Sequence, residues 1–129
     1  MTKLLIGGFL IAHGLVHAAI WATPKGNGDQ PFDPSHSWLL DAFGIAQGPA
    51  RTLSVVLAVS AAAGFVAAGV ALLAGSDWWR LIAIVTAAES LQLVLLFFSP
   101  WLILGAAIEV GILYALVVSS WPAEAVVGA

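Results

Sequence analysis

The sequence predicts an all-α fold, a transmembrane four-helix bundle in up-down-up-down order. Three observations lead there. Of 129 residues, 61% are apolar and only 9% charged, where soluble domains carry roughly a quarter charged residues. The apolar residues gather into four segments of about 18 to 24 residues, each able to cross a hydrocarbon core of about 30 Å at a rise of about 1.5 Å per residue. All six tryptophans, Trp21, Trp38, Trp78, Trp79, Trp101 and Trp121, fall at or beyond a segment end, where an amphipathic indole prefers the headgroup region.

The elements follow in order, as one domain over residues 1–129. Segment one runs from Lys3 to Trp21 and is stopped by Pro24, Gly26 and Gly28 in TPKGNGD. Lys3 followed by LLIGGFLIA, with Ala18, Ala19 and Ala22 behind it, partly matches a signal peptide. Two histidines interrupt the apolar run, so an uncleaved first span is the better reading. Segment two, Arg51 to Leu73, is entered through Gly48 and Pro49 and ended by Gly75. Segment three, Arg80 to Phe98, and segment four, Trp101 to Ser120, are separated only by Ser99 and Pro100, which forces an antiparallel hairpin. Ser99 suits an N-cap and Pro100 the first helical position, where its missing N–H would have had no partner anyway. Trp121 and Pro122 end the last span.

The tryptophans then fall three to each membrane face, forming two interfacial belts. Lys3 and Arg80 lie on the side of both termini, Lys25 and Arg51 on the other, so the positive-inside count is a tie. Asp29, Asp33 and Asp41 in the long connection favour placing it outside, with cytoplasmic termini in a bacterial inner membrane.

That connection, residues 22 to 50, exceeds the length at which loops are usually functional or unstructured. Its PFDPSHSWLLDAF stretch carries enough apolar mass to lie on the membrane, which predicts a short interfacial helix over 37–43 capped by Ser35 or Ser37. Such a helix would bring Asp33 and His36 to the bundle mouth. The plainer alternative is a solvated connector anchored by Trp38.

A net charge of −3 with four Lys and Arg gives no basic patch, which argues against nucleic acid as a partner. The expected partners are the lipid bilayer and either a larger membrane complex or further copies of the chain. The absence of cysteine excludes thiol nucleophiles, disulfide relays, iron–sulfur clusters and thiolate zinc sites.

Chemistry has to come from the polar residues inside the spans, since a charge at mid-span costs about 2.5 to 3.5 kcal/mol on insertion scales. These are His13 and His17 in segment one, Glu89 and Gln92 in segment three, and Glu109 in segment four. His13, Glu89 and Glu109 each fall near the midpoint of their span, within roughly 3 Å of one level. His17 and Gln92 are displaced towards the long loop. The sequence thus predicts one polar layer, with Gly14 and Ala18 beside the histidines allowing a close helix approach. Thr86, Glu89 and Ser90 share an i, i+3, i+4 pattern on segment three. Ser60, Gly64 and Ala68 form a small-residue stripe on segment two, for tight packing or to make room.

Four readings of the layer compete. HGLVH places histidines four apart on one face, so His13, His17, Glu89 and Glu109 could hold a metal ion. Gly14 rather than Glu follows His13, so the metalloprotease HExxH motif is not met. Haem is a second candidate cofactor, but two histidines on one helix cannot take opposite porphyrin faces, and His36 or a second copy would have to supply the other ligand. Proton-coupled transport is a third, through a carboxyl and imidazole sharing a proton. Small four-span drug exporters carry their essential glutamate in the first span, where this sequence has histidines, which counts against them. In the fourth, the histidines satisfy buried carboxyls and fix helix register. The leading expectation is a non-enzymatic accessory or small-ligand-binding membrane protein, with a redox or catalytic metal- or haem-binding subunit next. No residue is assigned as catalytic.

GGFLIAHGLVHAAIW, PFDPSHSWLL and the FFSPW turn resemble a group of small bacterial four-span membrane proteins over nearly the whole chain. The glycine-containing first helix is loosely similar to the DoxX-like four-span proteins. These resemblances imply the four-span fold and bring no activity or site residue with them.

Overall fold

Residues 1–22 and 32–127 are described in the computed structural model, and among them every regular element is helical. Helix α1 spans Thr2–Ala22, the short α2 Trp38–Ala42, α3 Gln47–Leu73 and α4 Trp79–Leu96. A 3₁₀ turn at Pro100–Leu102 leads into α5, Ile103–Leu113, which widens into a π-helical turn at Tyr114–Val118 before the terminal α6, Glu124–Val127. Four of these stretches, Thr2–Ala22, Gln47–Leu73, Trp79–Leu96 and Pro100–Val118, are long and apolar enough to cross a membrane. In their most apolar windows only 33, 39, 39 and 22% of residues are buried. Most of each span is therefore left at least partly exposed and is apolar, which lipid accepts and water does not. This is the architecture of a multi-pass membrane protein.

Several boundaries differ from those read in sequence, for local reasons. Helix α3 starts at Gln47, with Gly48 and Pro49 inside its first turn rather than ahead of it. Proline is tolerated there because the first N–H groups of a helix have no intrahelical partner. Ser99 takes the extended N-cap conformation, but its side chain makes no capping bond. The last span gives up regular α-helix at Tyr114 and ends at Val118. Two of its final carbonyls are taken up by side chains, Leu116 O by Arg80 at 3.3 Å and Tyr114 O by Ser119 Oγ at 3.1 Å, and Arg80 also donates to Pro122 O, beyond the span, at 2.7 Å. The TPKGNGD stretch expected to stop the first span lies outside the described residues.

The long connection contains a short helix, α2, capped by Ser37, whose Oγ accepts from Leu40 N–H. Ser37 Oγ also donates to Leu96 O at 2.5 Å, and Trp38 Nε1–H donates to Leu95 O at 2.7 Å. These two side chains thereby satisfy carbonyls left open in the last turn of α4. They fasten α2 over the end of the bundle.

Packing runs α1 against α3, α3 against α4 and α4 against α5. Two apolar clusters form at different depths. One gathers Leu10, Phe65, Leu72, Trp79, Ala83 and Leu116. The other, nearer the long connection, gathers Trp21, Ala58, Leu93, Val94, Phe97 and Leu102. Trp21 and Trp79 are only 2% and 6% exposed, so they are core residues and not members of lipid-facing belts as expected. Each sits at a helix end, and each turns inward to fill one cluster. Trp38, Trp78, Trp101 and Trp121 are exposed.

Candidate functional site: a buried histidine and glutamate centre

Between the two apolar clusters lies a polar level. In α1, His13 and His17 fall between Leu10 and Trp21. In α4, Ser90 falls between Ala87 and Leu93. In the last span, Glu109 falls between Leu102 and Leu116. Both histidines, Ser90 and Glu109 are buried, Glu109 completely. Apolar packing closes the level towards each membrane face.

Close helix approach creates this space. At Gly14 a Cβ would stand 2.7 Å from Ala62 O and 2.9 Å from Phe65 Cβ, so α1 lies on the α3 backbone only because residue 14 has no side chain. At Gly64 an added Cβ would collide with the side chain of Thr86, which seats α4 equally close on the other flank of α3. Of the small-residue stripe of segment two, Gly64 and the buried Ala68 therefore serve packing, and Ser60 is exposed. The imidazoles are held by ring contacts as well. Phe9 stacks on His13 at 5.7 Å and 10°, Phe65 meets His13 edge-on at 4.8 Å, and the two histidine rings meet edge-on at 4.8 Å.

The hydrogen bonds converge on one oxygen. Glu109 Oε1 lies 2.9 Å from His13 Nε2, accepts from Ser90 Oγ–H at 2.5 Å, and stands 3.4 Å from His17 Nε2. His17 Nε2 is also 2.6 Å from Ser90 Oγ. On its other side, His17 Nδ1–H donates to His13 O at 3.1 Å, since a carbonyl can only accept. That bond fixes the ring and directs Nε2 into the centre, the usual arrangement of a ligating histidine.

Counting protons defines the ligand-free state. Ser90 has one hydroxyl proton. If Ser90 donates to Glu109, then Nε2 of His17 must donate to Ser90, and His17 is an imidazolium facing a carboxylate. If Ser90 donates to His17 instead, the proton between Glu109 and Ser90 belongs to a neutral carboxylic acid. The two arrangements contain the same number of protons and the same zero net charge. They differ by passage of one proton along Glu109, Ser90 and His17. Glu109 Oε2, also buried, accepts no hydrogen bond among the described residues. A buried oxygen with free lone pairs is an exception that needs a reason.

One ligand atom from each of His13, His17 and Glu109 lies within 4.8 Å of the others. Four ligands at about 2.1 Å around zinc stand about 3.4 Å apart. The contacts of 2.9 and 3.4 Å from Glu109 Oε1 to the two histidines lie near that spacing, and the two imidazole ligand atoms, within 4.8 Å of each other, would draw together around an ion.

Of the residues expected in the layer, the structure joins His13, His17 and Glu109, and leaves out Glu89 and Gln92. Glu89 is half-buried and Gln92 is exposed on the outer side of α4. The inward polar residue of α4 is Ser90, one position on, which the sequence reading placed in the pattern but not in the site. The mouth candidates stay at the surface. Asp33 Oδ1 accepts from Ser35 N–H and Oγ–H, and the exposed His36 pairs with Asp41 at 2.9 Å. His36 therefore does not join His13 or His17 as a second haem ligand, and the Nε2 atoms through which these would bind haem iron face Glu109 Oε1 and Ser90 Oγ at 2.9 and 2.6 Å. No family model, curated protein or solved structure matches the chain.

Proposed function

We propose that this protein is a non-enzymatic membrane protein that binds one divalent transition-metal ion of the zinc class inside the bilayer, through His13, His17 and Glu109. The observation that carries this reading is the convergence of three ligand atoms within 4.8 Å, one of them on a carboxylate whose second oxygen is buried and unpartnered. Nitrogen and oxygen donors without sulfur suit zinc and its neighbours better than calcium or magnesium, which prefer oxygen alone. Two imidazoles and one carboxylate leave a divalent ion with one positive charge. In low dielectric that charge calls for a further anionic ligand such as hydroxide. Metal analysis of protein purified without chelator tests the reading. One ion per chain, lost in a His13→Ala, His17→Ala double variant that keeps its helical circular dichroism, supports it. A folded parent that takes up no zinc, cobalt or nickel defeats it.

The hydrogen-bond chain through Ser90 favours a second reading, in which the centre stores and relays a proton. The apolar clusters above and below it would have to open for exchange with water. Its mark would be pH-dependent infrared bands of Glu109 and His17 in metal-free protein. We further assign the protein to a bacterial inner membrane with cytoplasmic termini, a placement that reporter fusions at residue 129 and within residues 32–46 would check.

A further inference from the structure

The two polar residues that the centre does not use lie together on the outside of the bundle. Glu89 stands at the middle of α4 and Gln92 about 4.5 Å further along it, roughly three residues at helical rise. Gln92 is exposed, and it shares its face with Leu81, Val85 and Leu95, all at least half exposed. Neither Glu89 nor Gln92 makes a hydrogen bond or ion pair among the described residues. The end of a surface helix would let such side chains reach water. The middle of an 18-residue span does not. A carboxamide and a carboxyl aimed at hydrocarbon call for a protein partner at that depth.

The geometry points to a second copy of this chain, packed through the outer face of α4 as a parallel two-fold dimer in which Gln92 pairs with its counterpart. Three features select that occupant. A two-fold axis along the membrane normal keeps every residue at the depth of its own copy, so whatever lies at the centre of the face must complement itself. A carboxamide does so, having both donor and acceptor, while a carboxylate does not. Gln92 is the residue on the centre line of the face, with Glu89 at its edge. A partner offering Lys or Arg would be matched by the reverse arrangement. The exposed residues Leu81, Val85, Gln92 and Leu95, with the small half-buried Ala88 between them, follow the alternating four- and three-residue steps of a helix-pair seam. One polar residue in such a seam sets register and orientation.

The chain contains no cysteine, so single cysteines report proximity without background. Val85→Cys and Leu95→Cys mark the proposed seam, and Val16→Cys, exposed on α1, marks a lipid face on another helix. Oxidation in native membranes should yield disulfide-linked dimer from the first two and not from the third. Adding Gln92→Leu should lower dimer affinity about 3- to 20-fold, the range measured for interhelical hydrogen bonds in bilayers. All these side chains lie on lipid-facing surface, so the bundle itself keeps its packing. Cross-linking at Val85→Cys no higher than at Val16→Cys overturns the proposal, as does cross-linking only to a protein of different mass. A dimer indifferent to Gln92→Leu overturns it as well.

Discussion

Replacing Glu109 by glutamine separates a ligand from a structural polar group. The change is nearly isosteric and keeps an oxygen in the centre. In the parent, Oε1 takes hydrogen bonds from His13 and Ser90 at 2.9 and 2.5 Å. A neutral carboxamide cannot balance an imidazolium at His17, so His17 stays neutral and draws the Ser90 proton to its Nε2. The carboxamide oxygen then retains the His13 bond and loses the Ser90 bond. One interhelical hydrogen bond in a bilayer contributes about 0.6 kcal/mol and at most about 1.7. The thermal midpoint of metal-free protein in detergent should fall accordingly, with folding intact. Zinc affinity should fall much further. Removing a group that merely orients a ligand lowers metal affinity about 10- to 100-fold, and losing the one carboxylate that the protein supplies to the ion should reach at least the upper end, equivalent to about 2.7 kcal/mol. Competition with a chromophoric chelator measures the affinity, and thermal unfolding the stability. A Glu109→Gln variant that binds zinc within about threefold of the parent would refute the reasoning, most clearly if its stability had dropped by several kcal/mol.

Two further outcomes follow from the same geometry. Zinc binding displaces the shared proton of the Glu109, Ser90 and His17 chain, and a hydroxide ligand formed from water releases a second, so titration calorimetry in buffers of different ionisation enthalpy should show release of about one to two protons per ion; release of none would mean the ion binds elsewhere. Gly14→Ala places a methyl 2.7 Å from Ala62 O, on backbone that cannot rotate away, and should destabilise the protein by about 1 to 3 kcal/mol while weakening zinc binding; unchanged thermal unfolding would contradict the α1–α3 approach.

The four spans were readable because lipid imposes one rule on all of them: long apolar runs with every backbone group satisfied internally. The level of the site was readable too, since mid-span His13, His17 and Glu109 are expensive wherever they point. Direction was harder. Depth along a helix follows from counting residues, but which way Glu89 or Ser90 faces depends on what the helix packs against. A signal existed in the small residues. Ala83, Ala87 and Ser90 line the buried side of α4, whereas Glu89 and Gln92 keep company with Val85 and Leu96. In a membrane bundle, small residues mark the contact face more reliably than polar ones, because close backbone approach substitutes for the hydrophobic drive that lipid removes. The inward turn of Trp21 and Trp79 had no comparable signal. An indole at a helix end suits both a headgroup and a core, and neighbouring helices decide between them. At the π-helical turn Tyr114–Val118, Arg80 donates to Leu116 O, a contact between distant parts of the chain that no local pattern announces.

X-ray absorption at the zinc edge of the loaded protein tests the central claim most directly. A first shell of nitrogen and oxygen at about 2.0 to 2.1 Å, with outer-shell scattering from two imidazoles, is the result expected if His13, His17 and Glu109 hold the ion. A shell of oxygen alone, or imidazole scattering that survives the loss of His13 and His17, would contradict it.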